Sequence, residues 1–514
     1  MFNSITGIKY AENEIKSISN FKNYMKLKTK TLYQNLEYLC NPSLSSVTFS
    51  TSFYQKAFHT KKFKEQKISK FMIFKKITIF IIWNYYNLFL WLIYKIAMIL
   101  LKQKNILKKN NFILLDAPII CENTARTNKY TDRYLGSTYH ILKKNKLNPV
   151  YLFFFINKKS PLSIFHFCKT IKILDKQKIS YHTDFEYIGL NFIPQFLKFL
   201  NLYLIKNLKL YKEMSLSKKR IDRIFSNELI LSLPKNIVPI YSRYVLGLKI
   251  GINTRKGKIL SFCEYQERER VFNLAIRKNN KNIKLVAFQP IIKMPSYAHY
   301  YINDEDVDHD IVPDQIHVNG RFYIPQSSII KYGKPISLRH KSILKRNKIE
   351  NKINIVTLSA NEDDNNFMLG LLKNSILANT ELTIKPHPFN SLAKIRQNIE
   401  KNWSLSTENI EDLMKKSNLI ITSGSGTAVE FVSNGIACII INNKNMISSN
   451  PLTNLGKGKI WDSAYSAKGF NQAFKLLNNR TKKKNKSNIE IANKYKKIFF
   501  NRFDEKELID ICKN

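Results

Sequence analysis

The chain has 514 residues, too many for one ordinary hydrophobic core and enough for two or three domains. Apolar residues make up 44% and charged residues 24%, which excludes a disordered chain. Lys and Arg number 84 against 38 Asp and Glu, a formal net charge of +46 that calls for anionic partners, and the lysines are too scattered for sequence-specific reading of nucleic acid.

Residues 1–110 read as a basic, aromatic-rich helical extension whose first residues lack a signal-peptide core. Within it Ile77–Leu101 is apolar and long enough for a bilayer of about 30 Å. Asn84, Asn87 and Lys95 interrupt it, and Trp83, Tyr85, Tyr86, Trp91 and Tyr94 give it an interfacial character. Basic flanks at Lys75-Lys76 and Lys102 to Lys109 suit anionic headgroups. Spanning, lying on the membrane and burial in the protein all fit; the last two are favoured over the first.

Residues 111–340 alternate strand and helix as a Rossmann-like domain does. Strands are expected at Phe112–Leu115, Val150–Ile156, Lys258–Cys263 and Ile283–Gln289, and helices at Tyr134–Lys144, Asn191–Leu210 and Glu267–Lys278. Glu264 directly follows a strand, where a carboxylate in a partly dry cleft can take a proton from an attacking hydroxyl. It would equally serve as an N-cap for the next helix, and Asp116 and Glu122 are weaker alternatives as the base. The acidic run Asn303–Asp310 has no glycine turn to shape a cation site and reads as a solvated loop, so no metal is expected. Gly333–Lys352 reads as the interdomain linker.

Residues 341–490 form a second unit, followed by a helical tail over 491–514. Its apolar runs, Ile353–Leu358, Leu382–Ile384, Leu419–Ile421 and Ala437–Ile441, are bounded by turn residues as buried parallel strands are. Ligands of such sheets sit beyond the carboxyl ends of the strands. There the chain places Lys385-Pro386-His387-Pro388, a histidine held between two prolines of fixed φ. After the next strand come Ser423, Gly424, Ser425, Gly426 and Thr427, a small hydroxyl-rich turn opening a helix that Gly435 closes. Free N–H groups, a positive helix end and hydroxyl donors suit phosphate; the plainer reading is an ordinary cap and turn. The cysteines at 40, 121, 168, 263, 438 and 512 contain no C-x-x-C pair, so neither zinc nor a disulfide framework is expected, as in a reducing cytoplasm.

The KPHP stretch followed by the Ser-Gly turn and the TAVEF helix resembles the C-terminal domain of GT-B transferases of bacterial surface-carbohydrate and O-antigen biosynthesis. More distantly it resembles polysialyltransferases and CDP-glycerol glycerophosphotransferases. Phe262-Cys263-Glu264, Val286 to Pro290 and Pro313 to Gly320 match further signatures of the surface-carbohydrate group. The resemblance implies two Rossmann-like α/β domains facing a cleft. It implies a CMP-, CDP- or UDP-linked donor held by Lys385 and residues 423–427, a carbohydrate or lipid-linked acceptor, and catalysis by His387 and Glu264 without cofactor or metal. The setting would be the inner face of the plasma membrane, with no specific nucleic acid. Two rival readings are a nucleotide-sugar epimerase of the same fold and a basic membrane-associated scaffold or nucleic-acid-binding protein.

Overall fold

The computed structural model describes residues 19–21, 23–28, 30, 32–41, 53, 56–57, 68–101, 110–156, 162–234, 236–292, 294, 302, 304–325, 328–338, 353–359, 361–387, 390, 392–443, 450–482 and 486–513. The first eighteen residues, the basic run 102–109, Pro388 and the linker expected beyond Leu338 lie outside them.

Two parallel sheets organise the chain. The first contains β1 (Asn110–Ile120), β2 (Val150–Ile156), β3 (Tyr181–Thr183), β4 (Lys256–Phe262), β5 (Ile283–Gln289), β6 (Gln315–Val318) and β7 (Lys331–Tyr332), in the order β3-β2-β1-β4-β5-β6-β7. The second contains β8 (Ile353–Thr357), β9 (Leu382–Lys385), β10 (Trp403–Leu405), β11 (Ser417–Thr422), β12 (Ala437–Ile441) and β13 (Trp461–Ala464), in the order β10-β9-β8-β11-β12-β13. In both, the first strand is central and the chain winds outward to either side. This is the doubly wound Rossmann-like arrangement, so the α/β class with two such domains is as expected.

Alternation within the second sheet covers both of its faces. Ile420, Cys438 and Ile440 join a core continuous with the first domain, while Leu419, Ile421, Ile439 and Ile441 pack in a separate cluster with Phe470 and Leu477. Strands buried on both sides read as unbroken apolar runs, which is why they were visible in the sequence.

β1 runs further than the sequence suggests, through Asp116, Ala117 and Pro118 to Ile120. Pro118 is tolerated because β1 pairs with β4 only up to Asp116, leaving β2 as its one partner at Pro118. Asp116 therefore lies inside a buried strand, paired with Arg243 of the helix Val238–Asn253, and is no general base.

The helices used below are α1 (Lys70–Leu101), α2 (Cys121–Thr127), α3 (Phe192–Ser215), α4 (Glu267–Asn279), α5 (Glu362–Lys373), α6 (Thr427–Ser433), α7 (Lys486–Phe499) and α8 (Glu505–Lys513). The chain end returns to the first sheet. Phe499 packs on Phe322 and Tyr323, Asn501 N donates to Asn319 O at 2.7 Å, and Lys258 Nζ donates to Ile511 O at 2.9 Å.

Candidate active site

The carboxyl ends of β8, β9 and β11 bring the second domain's unusual residues together. Lys385 is the last residue of β9, paired with Thr357, the last residue of β8. The Thr357 and Thr427 hydroxyls lie 3.5 Å apart, so the turn after β11 stands over the end of β8. Asn390 ties in the loop after β9: its side chain accepts from His387 N at 2.9 Å and donates to Ser359 O at 3.1 Å.

The Ser423–Thr427 turn is built as the sequence suggests. Gly424 has φ +137°, a conformation that side-chain-bearing residues rarely adopt. Ser425 Oγ accepts from the Thr427 hydroxyl at 2.9 Å and from Thr427 N at 3.3 Å. The Ser423 hydroxyl is buried, with no hydrogen-bond partner among the described residues. α6 has seven residues and ends in a Schellman pair, Ile436 N to Phe431 O and Gly435 N to Val432 O.

Gly426 does something the sequence did not suggest. Its open side meets the first domain: a Cβ there would stand 3.0 Å from the Cβ of Ile292, just past β5. Its lack of a side chain serves domain packing.

Burial lowers the Lys385 ammonium pKa, and the Arg126 and Arg133 guanidiniums lower it further against a smaller opposing pull from Glu408. Arg126 belongs to α2, directly beyond the carboxyl end of β1. Cations of the two domains therefore share one region, and none of these three makes an ion pair among the described residues. Such like charges repel unless an anion lies between them. His387 is half-buried, and desolvation lowers its pKa, favouring a neutral ring at pH 7. It would act on a developing charge by donating an N–H rather than as a cation.

Glu264 follows β4 by two residues and is half-buried, its Oε2 accepting from Gln266 Nε2 at 2.6 Å. It is not the cap of α4: that helix carries a capping box of Gln266 and Glu269, with Gln266 N donating to Glu269 Oε2 at 2.7 Å. Tyr265, between them, is fully buried with φ +58°, strained for a bulky residue. In the second domain, Asp364 in the first turn of α5 has its carboxyl pushed up to about 6, by burial and by Asp363.

Sequence reasoning gave no role to Arg126, Arg133, Gln289 or Asn319. Gln289 ends β5 and Asn319 follows β6, strands registered Gln289 to Val318. Both carboxamides are buried without a partner among the described residues. Both lie inside the stretches that match the surface-carbohydrate signatures, Val286 to Pro290 and Pro313 to Gly320, and that match was the sequence signal for them. The acidic run expected as a loop instead contains the helix Asp304–Asp308; among the described residues no group of His, Cys, Asp and Glu is arranged to hold a metal.

No protein-family model matches the chain, and no curated protein does. Solved structures are similar at low identity. Acinetobacter baumannii MurG has 12% identity and a TM-score of 0.40, covering 78% of this chain and 99% of its own. The wall teichoic acid polymerase TagF has 10% and 0.39, covering 87% and 97%. The UDP-GlcNAc 2-epimerase from Neisseria meningitidis, bound to UDP-GlcNAc, has 12% and 0.38, covering 74% and 94%. The α/β class rests on the two parallel sheets themselves.

Proposed function

We propose that the chain is a transferase that moves a sugar or polyol-phosphate group from a nucleotide-activated donor to a cell-surface polysaccharide precursor. The observation that carries this reading is Lys385 at the end of β9, paired with Thr357 under the hydroxyl-rich turn 423–427 and followed by His387, with the Arg126 and Arg133 guanidiniums of the first domain near enough to lower the lysine's pKa. Three cations from two domains suit a diphosphate or phosphodiester, and the strand ends are where doubly wound folds hold nucleotides.

On this reading Lys385 and the turn hold the donor phosphates, the arginines close on them from the first domain, and His387 donates an N–H to the leaving phosphate as charge builds there. Glu264 takes the proton of the acceptor hydroxyl. The acceptor is carbohydrate or lipid-linked, at the inner face of the plasma membrane. The donor is CMP-, CDP- or UDP-linked.

Calorimetry with CMP, CDP and UDP on the wild type and Lys385→Ala tests the reading. At least one nucleotide should bind, and the variant should weaken it by about tenfold or more, the loss of one charge-assisted contact. Absence of binding by all three would overturn the assignment. Product formed from donor without acceptor would favour the epimerase instead.

A further inference from the structure

Helix α1 is apolar on the side it turns to water as well as on the side it buries. From Ile81 onward each of its exposed residues is apolar or aromatic. Ile82, Tyr85, Phe89, Ile96 and Ile99 are 60, 50, 56, 49 and 62% exposed and recur at helical spacing along one side. The polar residues point the other way. Asn84 Oδ1 accepts from Ile237 N at 2.8 Å and its amide donates to Pro234 O at 3.1 Å, while the Lys95 ammonium donates to Phe185 O. Phe80 stacks on Tyr203 of α3 at 5.6 Å, and Trp91 packs at a tilt on Phe192 at 4.5 Å, so this polar and aromatic side is locked to the first domain.

We infer that α1 docks the protein onto an anionic bilayer by lying along its surface, with the Ile82–Ile99 side in the acyl boundary and the Asn84–Lys95 side kept in the protein. Charge selects lipid over a second copy of the chain: a formal charge of +46 repels another copy and attracts anionic headgroups. At the start of the same helix Lys70 and Lys75 are exposed beside exposed Phe71 and Phe74, a pairing of cation and ring suited to the headgroup layer. Length and composition alone would let α1 cross a membrane. Its 32 residues would measure about 48 Å, well over a bilayer core of about 30 Å. Crossing would strip Asn84 and Lys95 of their backbone partners and leave them in hydrocarbon.

This surface goes beyond the transferase reading and does not rest on it. The test is flotation of the full chain with vesicles of phosphatidylcholine alone or with about a third phosphatidylglycerol, with nucleotide binding and melting temperature measured on the same samples. The wild type should float with the anionic vesicles and be released by carbonate. Ile82→Glu with Phe89→Glu should lower partitioning by about 100-fold, since each side chain contributes roughly a factor of ten. Because both residues are exposed, the melting temperature should not move. Lys70→Glu with Lys75→Glu should reduce the preference for anionic vesicles. Unchanged flotation of the Ile82/Phe89 variant, resistance of the wild type to carbonate, or a dimer that this variant dissolves would each overturn the inference.

Discussion

Gly426 and Ile292 are the point at which the two domains touch beside the candidate phosphate turn: a Cβ on the glycine would lie 3.0 Å from the Cβ of the isoleucine. The turn that would hold the donor is thus also a packing surface. Gly426→Val should force the domains apart, at about 1–3 kcal/mol, and weaken nucleotide binding with it. Ile292→Ala in the same background should restore part of both losses. Urea titrations beside calorimetry decide the matter; independent effects of the two substitutions would show no coupling across the interface.

Gly424→Val addresses the turn itself. At φ +137° a β-branched residue is strained, and its side chain would crowd the approach to the backbone. Nucleotide binding should be lost, with a stability loss of about 1–3 kcal/mol. Retained affinity in a folded variant would remove the turn from the site.

His387→Ala separates a role in the transition state from a structural one. If the ring acts as a neutral donor to the leaving phosphate, it should matter to turnover by about 100-fold and to ground-state binding far less. Because His387 N and Asn390 Oδ1 hold the loop through the backbone, the melting temperature should change little. Near-normal turnover of the folded variant would exclude His387 from the chemistry.

Stability should fall as pH drops from 7 to 5. Burial lowers the pKa of both His317 and His387 from the usual 6.5, so each takes up a proton more readily when unfolded. Their contribution is complete above the unfolded value of about 6.5 and is lost as pH falls toward the folded values. His317 is the cleaner probe: its Nδ1–H donates to Lys334 O at 2.9 Å, and its Nε2 is buried without a partner among the described residues. Denaturation midpoints at half-unit steps should slope less in His317→Gln than in the wild type. Parallel slopes would remove His317 as a source.

The buried Asp116–Arg243 pair should be costly to break singly. Phe272 lies 4.1 Å from the Arg243 guanidinium carbon, and burial raises the Asp116 pKa despite the arginine's opposing pull. Arg243→Met leaves a lone carboxylate inside the sheet and should lose about 3–5 kcal/mol. Asp116→Leu with Arg243→Met should lose much less, since no unpaired charge remains. Equal losses would show that packing rather than charge holds the two helix and strand faces together.

The sequence by itself determined the two Rossmann-like units. Strands covered on both faces must be continuously apolar, and Val150–Ile156 and Ala437–Ile441 are. It also determined the Ser423–Thr427 turn and the Gly435 helix stop, because backbone conformations of this kind select small residues locally. Tertiary structure alone decided which residues meet. Arg126 and Lys385 are some 260 residues apart along the chain and neighbours only once two sheets face each other. Chain position placed both Asp116 and Glu264 near strand ends; the length of β1 buried one, and the Gln266–Glu269 capping box took the capping role from the other, which stays half-buried against Gln266. The polarity of α1 was unreadable in sequence for the same reason: periodicity shows that two sides differ, while only packing against Tyr203, Ile237 and Phe185 shows which side is turned inward.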